Sequence, residues 1–291
     1  MTVTRSTDRE RESLCVCVHE DMSRRNLMER VPSLRSVRSL GSLGGSLRRV
    51  PSLRSLKTSD LSKALSSEKW DRAMSLVKNK PDVVKVWNGR PGFFEGIKHS
   101  EVLPIHEACA NSETPIELVE AIVKGHPEGL QLKESAYKRL PIHIACRKNA
   151  NTDVVALLMD HYPEGALIAD SLGRLPLHYA LSNGANDDVI EALLEKKPGC
   201  ARGTDRRGWL PIHVACSVGA STKVIAMILK AYPEGSIIRT NRGTSVERCM
   251  DSHQAANKKE VYTVLEYFRR KVEERLNRQQ ARPITSERTI V

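Results

Sequence analysis

Leu103-Pro104-Ile105-His106 is a phrase that returns as Leu140-Pro141-Ile142-His143, Leu175-Pro176-Leu177-His178 and Leu210-Pro211-Ile212-His213. Successive copies start 37, 35 and 35 residues apart. Three of them continue as His-x-Ala-Cys, ending at Cys109, Cys146 and Cys216, and the third reads His178-Tyr179-Ala180-Leu181. A second phrase keeps the same beat: His126-Pro127-Glu128-Gly129, Tyr162-Pro163-Glu164-Gly165, Lys197-Pro198-Gly199-Cys200 and Tyr232-Pro233-Glu234-Gly235. Self-similarity at a fixed period of about 20–50 residues marks units that cannot bury an apolar face alone and must stack on their neighbours.

Each unit reads the same way. A glycine turn (Gly173-Arg174, Gly208-Trp209, Gly243-Thr244) leads into Leu-Pro. Proline suits the first helical position, where its missing N–H would have had no partner. A short helix is expected from about His178 to Asn183, then a turn at Ser182–Ala185. A second helix carries apolar residues at helical spacing, such as Val154, Val155, Leu157 and Leu158, until Pro163, Pro198 or Pro233 stops it. An extended segment, for instance Ala166–Asp170, is expected to cross to the next turn. Low aromatic content, 4%, suits thin helical layers.

Helix, turn, helix and protruding finger at about 35 residues, with Leu-Pro-Ile/Leu-His-x-Ala where the family usually has Thr-Pro-Leu-His-x-Ala, resembles the ankyrin repeat. The Thr hydroxyl of the family phrase is absent from all four copies, and Tyr-Pro-Glu-Gly replaces the commoner Ala-Gly-Ala-Asp, so the chain looks like a divergent subtype. The resemblance implies an all-α, ankyrin-like helix-turn-helix solenoid with protruding fingers, flanked by disordered tails. The organisation expected is a disordered basic Ser/Arg-rich tail (1–57), an N-terminal capping half-repeat with a long finger (58–102), four repeats (103–244), a C-terminal capping repeat with a basic helix (245–280) and a disordered tail (281–291). The long finger comes from about ten extra residues, Asn88 to Glu101, which read as a loop holding Phe93 and Phe94. The last helix is expected from about Ala256, with Arg269, Arg270 and Lys271 exposed, and its continuation through Val272 and Leu276 reads as a coiled-coil seam or as a fraying end.

Ankyrin proteins contact partners through finger tips and the concave face of the first helices. Those slots here hold Tyr137, Arg139, Arg147, Lys148, Leu172, Arg174, Ser182, Asn183, Arg206, Arg207, Trp209, Ser217, Val218, Asn241 and Arg242. Arginines from finger to finger beside Tyr137 and Trp209 are the residue types that dominate binding surfaces. The partner they suit is an acidic, extended protein surface, unless the arginines merely pair with Glu134, Asp170 and Asp205.

The chain carries +11 net charge, of which residues 1–57 hold +6 and residues 258–291 hold +4, leaving the remainder near neutrality. The tail repeats Arg30-Val31-Pro32-Ser33-Leu34-Arg35-Ser36 as Arg49-Val50-Pro51-Ser52-Leu53-Arg54-Ser55. Ser33 and Ser52, each three residues after an arginine, are candidate sites for a basic-directed kinase. The same Arg-plus-Leu pattern suits an anionic membrane, nucleic acid or an acidic groove, and an inert solvated linker is the third reading. Leu14–Val18 is too short to span a membrane and follows no signal-peptide pattern, so a soluble, monomeric, cytoplasmic or nuclear protein is expected.

Catalysis finds no constellation. His106, His143, His178 and His213 would stand about 10 Å apart in adjacent layers, too far to share an ion that needs ligands at about 2 Å. They are read as structural, bonding turn backbone from one repeat to the next. Cys15, Cys17 and His19 are too few for a zinc site. Cys109, Cys146 and Cys216 occupy a small apolar slot, which suits buried free thiols in a reducing compartment rather than disulfides or nucleophiles. No cofactor, no metal and no enzymatic activity are expected.

Overall fold

Each repeat begins where Leu-Pro sets its helix. In the computed structural model, which describes residues 58–91, 93, 99–251 and 257–280, the prolines stand at the first helical position of α3 (Pro104–Ala108), α5 (Pro141–Arg147), α7 (Pro176–Ser182) and α9 (Pro211–Ser217). All of these residues belong to one unit, Lys57–Val291. The N-cap is a leucine with no oxygen to offer, so the third helical residue does the capping. The N–H of Leu103, Leu140, Leu175 and Leu210 donates to Nδ1 of His106, His143, His178 and His213 at 3.1, 3.1, 3.1 and 3.2 Å. This is the returning half of a capping box, with histidine in the place of Glu or Gln.

The second helices are α4 (Ile116–Gly125), α6 (Thr152–His161), α8 (Asp187–Lys196) and α10 (Thr222–Ala231). Each buries one apolar stripe, in α4 Leu118, Val119, Ile122 and Val123. Burying such a side chain is worth about 1.5–3 kcal/mol, so these stripes, rather than helix propensity, hold ten-residue helices in place. The residue ahead of each proline is extended, Tyr162 at φ −148° and ψ 73°, because a following proline disfavours the helical region. The proline does more than stop the helix: it opens a 3-10 turn at Pro127–Gln131, Pro163–Leu167, Pro198–Arg202 and Pro233–Ser236. Ala166 and Leu167 therefore belong to a 3-10 turn, not to the extended crossing expected for them. Gly165 N–H and Ile168 N–H close it on the carbonyls of Tyr162 and Gly165 at 3.2 and 3.3 Å.

The ends of the stack differ from its middle. At the N-terminal end α1 (Asp60–Ser66) and α2 (Trp70–Asn79) form a helix pair, with a 3-10 turn at Pro81–Lys85. The described ends of its long finger are strands and not irregular loop: β1 (Asn88–Pro91) pairs antiparallel with β2 (His99–Val102), from Asn88 opposite Val102 to Pro91 opposite His99. Phe93 is half-buried and packs on the core, while Phe94 lies outside the described residues. At the other end α11 (Val246–Asp251) buries Val246, Cys249 and Met250, so the decayed phrase still packs as a first helix. The last helix, α12, runs Lys258–Gln280. Val272 is buried and Leu276 is 41% exposed, so the apolar seam ends at Val272. Arg269 is half-buried and ion-paired with Glu247, not exposed as its position suggested. One continuous cluster of buried residues runs from Leu61 through the four repeats to Leu265.

Candidate protein-binding surface

The fingers are built by carboxylates. Asp170 Oδ1 accepts from the N–H groups of Leu172 and Arg174 at 2.8 and 3.0 Å, and Asp205 Oδ1 from those of Arg207 and Trp209 at 2.8 and 2.9 Å. Glu134 takes the N–H groups of Ala136, Tyr137 and Arg139 and the hydroxyl of Ser100. Thr240 does the same work with a hydroxyl, Oγ1 accepting from Thr244 N–H at 3.1 Å. An acid two to five residues ahead of the N–H groups it binds folds the turn locally. Adjacent fingers are joined by backbone bonds: Ser135 N–H to Glu101 O, Ser171 N–H to Tyr137 O, Arg206 N–H to Leu172 O and Asn241 N–H to Arg207 O, at 2.8–3.2 Å. The close approach demands glycine at the tip. A Cβ on Gly208 (φ +75°) would stand 2.7 Å from Asn241 N.

Histidines tie this ladder to the helices. With Nδ1 accepting from the leucine N–H, the proton sits on Nε2, which donates to the carbonyls of Leu132, Arg174 and Trp209 from His106, His143 and His178 at 3.0, 3.2 and 3.0 Å. His213 Nε2 faces the Ile238 carbonyl outside hydrogen-bond geometry. Burial favours the neutral ring, holding His106 and His143 down to about 4 and lowering His178 and His213.

Burial also pushes the thiols up, Cys109 and Cys200 to about 12, Cys249 to about 11 and Cys146 and Cys216 higher still. A thiol so poor in thiolate is no nucleophile. Among the described residues no group of three or more His, Cys, Asp or Glu is placed to hold a metal ion. No helix among them is long and apolar enough to cross a membrane.

The residues singled out from the sequence fall into three settings. Arg139 does not reach a tip at all: it is 2% exposed. Its Nε lies 3.4 Å from Asp170 Oδ2, its Nη2 donates to Tyr179 Oη at 2.8 Å, and its guanidinium stacks 4.4 Å from the Tyr137 ring centre. Tyr179 Oη in turn donates to Asp170 Oδ2 at 2.7 Å. This buried Arg-Asp-Tyr knot joins two fingers to α7 through Tyr179, which fills a slot held by Glu107, Ile144 and Val214 in the other copies. Ser182, Asn183 and Ser217 are half-buried and turn inward, donating to the helix carbonyls of Tyr179, Tyr179 and Val214.

Tyr137, Arg147, Leu172, Arg174, Trp209 and Val218 are half-buried, with the Arg174 guanidinium 5.6 Å from the Tyr179 ring centre and Trp209 6.1 Å from the His213 ring. Lys148, Arg206, Arg207, Asn241 and Arg242 are exposed. Arg206, Arg207 and Arg242 make no ion pair among the described residues, and Asp205 Oδ1 is turned to the backbone of its own finger. Arg139 pairs through its side chain with one of the finger acids, Asp170. Ser33 and Ser52 lie outside the described residues.

Charge divides the array by face. The four fingers (133–139, 169–174, 204–209 and 239–244) carry eight lysines and arginines against three carboxylates, and those three fold the turns. Helices α4, α6 and α8 carry eight carboxylates against two lysines. The near-neutral array is thus basic along its fingers and acidic along α4, α6 and α8, whereas α10 carries Lys223 and Lys230 and no carboxylate. What sequence reading missed is the role of Glu134, Asp170, Asp205 and Thr240, although their spacing of 36, 35 and 35 residues follows the period of the phrase.

Among curated proteins, none matches the chain. A protein-family model does: ankyrin repeats, three copies, across residues 105–202. Ankyrin repeats are generally protein-interaction modules, and the fourth copy, beyond the matched stretch, keeps the proline, the histidine cap and the inter-finger bond of the other three. Over these residues the chain is a stack of ankyrin repeats.

Proposed function

We propose that the chain is a non-enzymatic adaptor that holds an acidic, extended segment of a protein partner along its finger tips. The observation that carries this is the set of exposed arginines Arg206, Arg207 and Arg242, unpaired among the described residues, beside the half-buried Trp209 indole. The finger acids turn to the N–H groups of their own turns and make no ion pair with Arg206, Arg207 or Arg242 among the described residues, so these guanidinium groups are open to a partner. The acidic helices α4, α6 and α8 repel the same partner and favour the finger side for it.

Affinity capture with full-length protein tests it. A triple Arg206→Glu, Arg207→Glu, Arg242→Glu variant should fold with unchanged stability and lose its acidic partner, by about 100-fold or more. Capture of the same partner by the variant overturns the proposal.

In this reading the monomer works in the cytoplasm or nucleus, and kinase action at Ser33 and Ser52 switches the tail. A second reading is favoured by the +6 charge of residues 1–57: the tail binds anionic lipid or nucleic acid, with the array as a spacer. Binding by residues 1–57 alone, lost steeply with salt, would select it.

A further inference from the structure

The C-terminal closure of the stack is built unlike its repeats. Helix α12 runs for 23 residues, whereas α4, α6, α8 and α10 run for ten each. The surplus length passes the last 3-10 turn, Pro233–Ser236, and a cleft of about 620 Å³ opens beside it. Its floor is apolar: Pro233 from the turn, with Phe268 and Val272 from the helix. Its rim is cationic, with Lys230 on one side and Lys271, Arg275 and Arg278 on the other, against the single lining carboxylate of Glu274.

These charges are only partly spent within the chain. Arg275 pairs with Glu234, which fixes its guanidinium at the rim. Arg278 lies 3.6 Å from Glu274 in an exposed pair that a partner can replace at little cost. Lys271 rests 4.5 Å over the Tyr267 ring, and Lys230 has no ion pair among the described residues. Four like charges around an apolar floor raise the local potential and leave the floor wet, which favours an occupant that is anionic on its flanks and apolar at its centre.

We propose that this cleft seats a short acidic peptide segment, with an apolar side chain on Phe268, Val272 and Pro233 and carboxylates against Lys230, Lys271, Arg275 and Arg278. The site shares no residue with the finger tips. A flat lipid surface does not enter a concave cleft, and a nucleic-acid backbone needs a track of cations rather than an apolar floor.

The test uses the full chain and a fluorescein-labelled peptide, Asp-Glu-Leu-Phe-Asp-Glu, followed by anisotropy. Saturable binding is expected, weakened about tenfold in a Lys271→Glu, Arg278→Glu variant, whose substitutions lie at exposed positions. Replacing Leu-Phe in the peptide by Ser-Ser should also weaken it about tenfold or more. The Arg206→Glu, Arg207→Glu variant should bind as the unmodified chain does, which separates this site from the finger tips. Absence of saturable binding, equal binding by the charge-reversed chain, equal binding of the Ser-Ser peptide, or displacement by phosphatidylserine vesicles would each overturn the assignment.

Discussion

The histidine of the Leu-Pro-x-His phrase is a structural proton carrier held in one state. Its Nδ1 caps a helix and its Nε2–H reaches the next finger, so protonation at Nδ1 would break the cap and place a charge in a dry site. The folded value of His106 and His143 is about 4, below the ordinary value of 6.5 that the unfolded chain shows. As pH falls below 6.5 the unfolded chain takes up protons that the folded chain refuses. Stability is therefore complete above about pH 6.5 and is lost down to about pH 4, by on the order of 3 kcal/mol for each of these two rings. Urea unfolding of the full chain at pH 7.5, 6 and 4.5 should show this slope. His143→Gln should make it shallower, because a glutamine at the third helical position accepts from the cap N–H without titrating. A slope unchanged in His143→Gln would assign the acid loss to other groups.

At the scale of elements, the fingers were the least legible part. The prolines, the ten-residue amphipathic helices and their period were all readable, because each depends on neighbours a few residues away. Arg139 was misplaced because its environment is assembled from three separate elements. Position alone puts it at a finger, yet Asp170 comes from the next finger and Tyr179 from α7, 31 and 40 residues away. The same holds for Glu101, which bonds Ser135 across fingers. Sequence spacing gave the repeat of Tyr179's slot but not that a tyrosine there completes an ion pair. Removing the guanidinium would take from the fully buried Asp170 carboxylate its Arg139 partner. Arg139→Ala should thus destabilise the chain by about 3 kcal/mol, whereas Tyr179→Phe, which keeps the ion pair and removes one hydroxyl, should cost about 1 kcal/mol. Denaturant titration of the two variants checks the order. A smaller loss in Arg139→Ala than in Tyr179→Phe would mean that the ion pair contributes little and that the hydroxyl organises the knot.

The whole array follows from contacts between neighbours. First helices stack on first helices, second on second, and fingers bond to the next finger and to the helices beside them, so among the described residues no interaction spans the stack from end to end. Stability in such a molecule is a sum over repeats and the interfaces between them, and damage at one end should stay there. Helix α12 is the outer wall of the last repeat: Val261, Leu265 and Val272 are buried, Asn257 donates to Ala220 O, and Thr222 bonds Glu260. Ending the chain at Asp251 would strip this cover from α10, α11 and the 3-10 turn at Pro233–Ser236. Hydrogen exchange should then show protection falling by about tenfold or more in α9–α11, while α5 to α8 keep theirs. A chain ended at Glu274 keeps every buried residue of α12 and should leave the protection of α9–α11 close to that of the intact protein, though it lacks Arg275 and Arg278 of the cleft. Loss of protection from α5 through α8 in the Asp251 truncation would show a single cooperative block. In that case the finger ladder and the buried Arg139 knot, not pairwise helix stacking, would set the size of the folding unit.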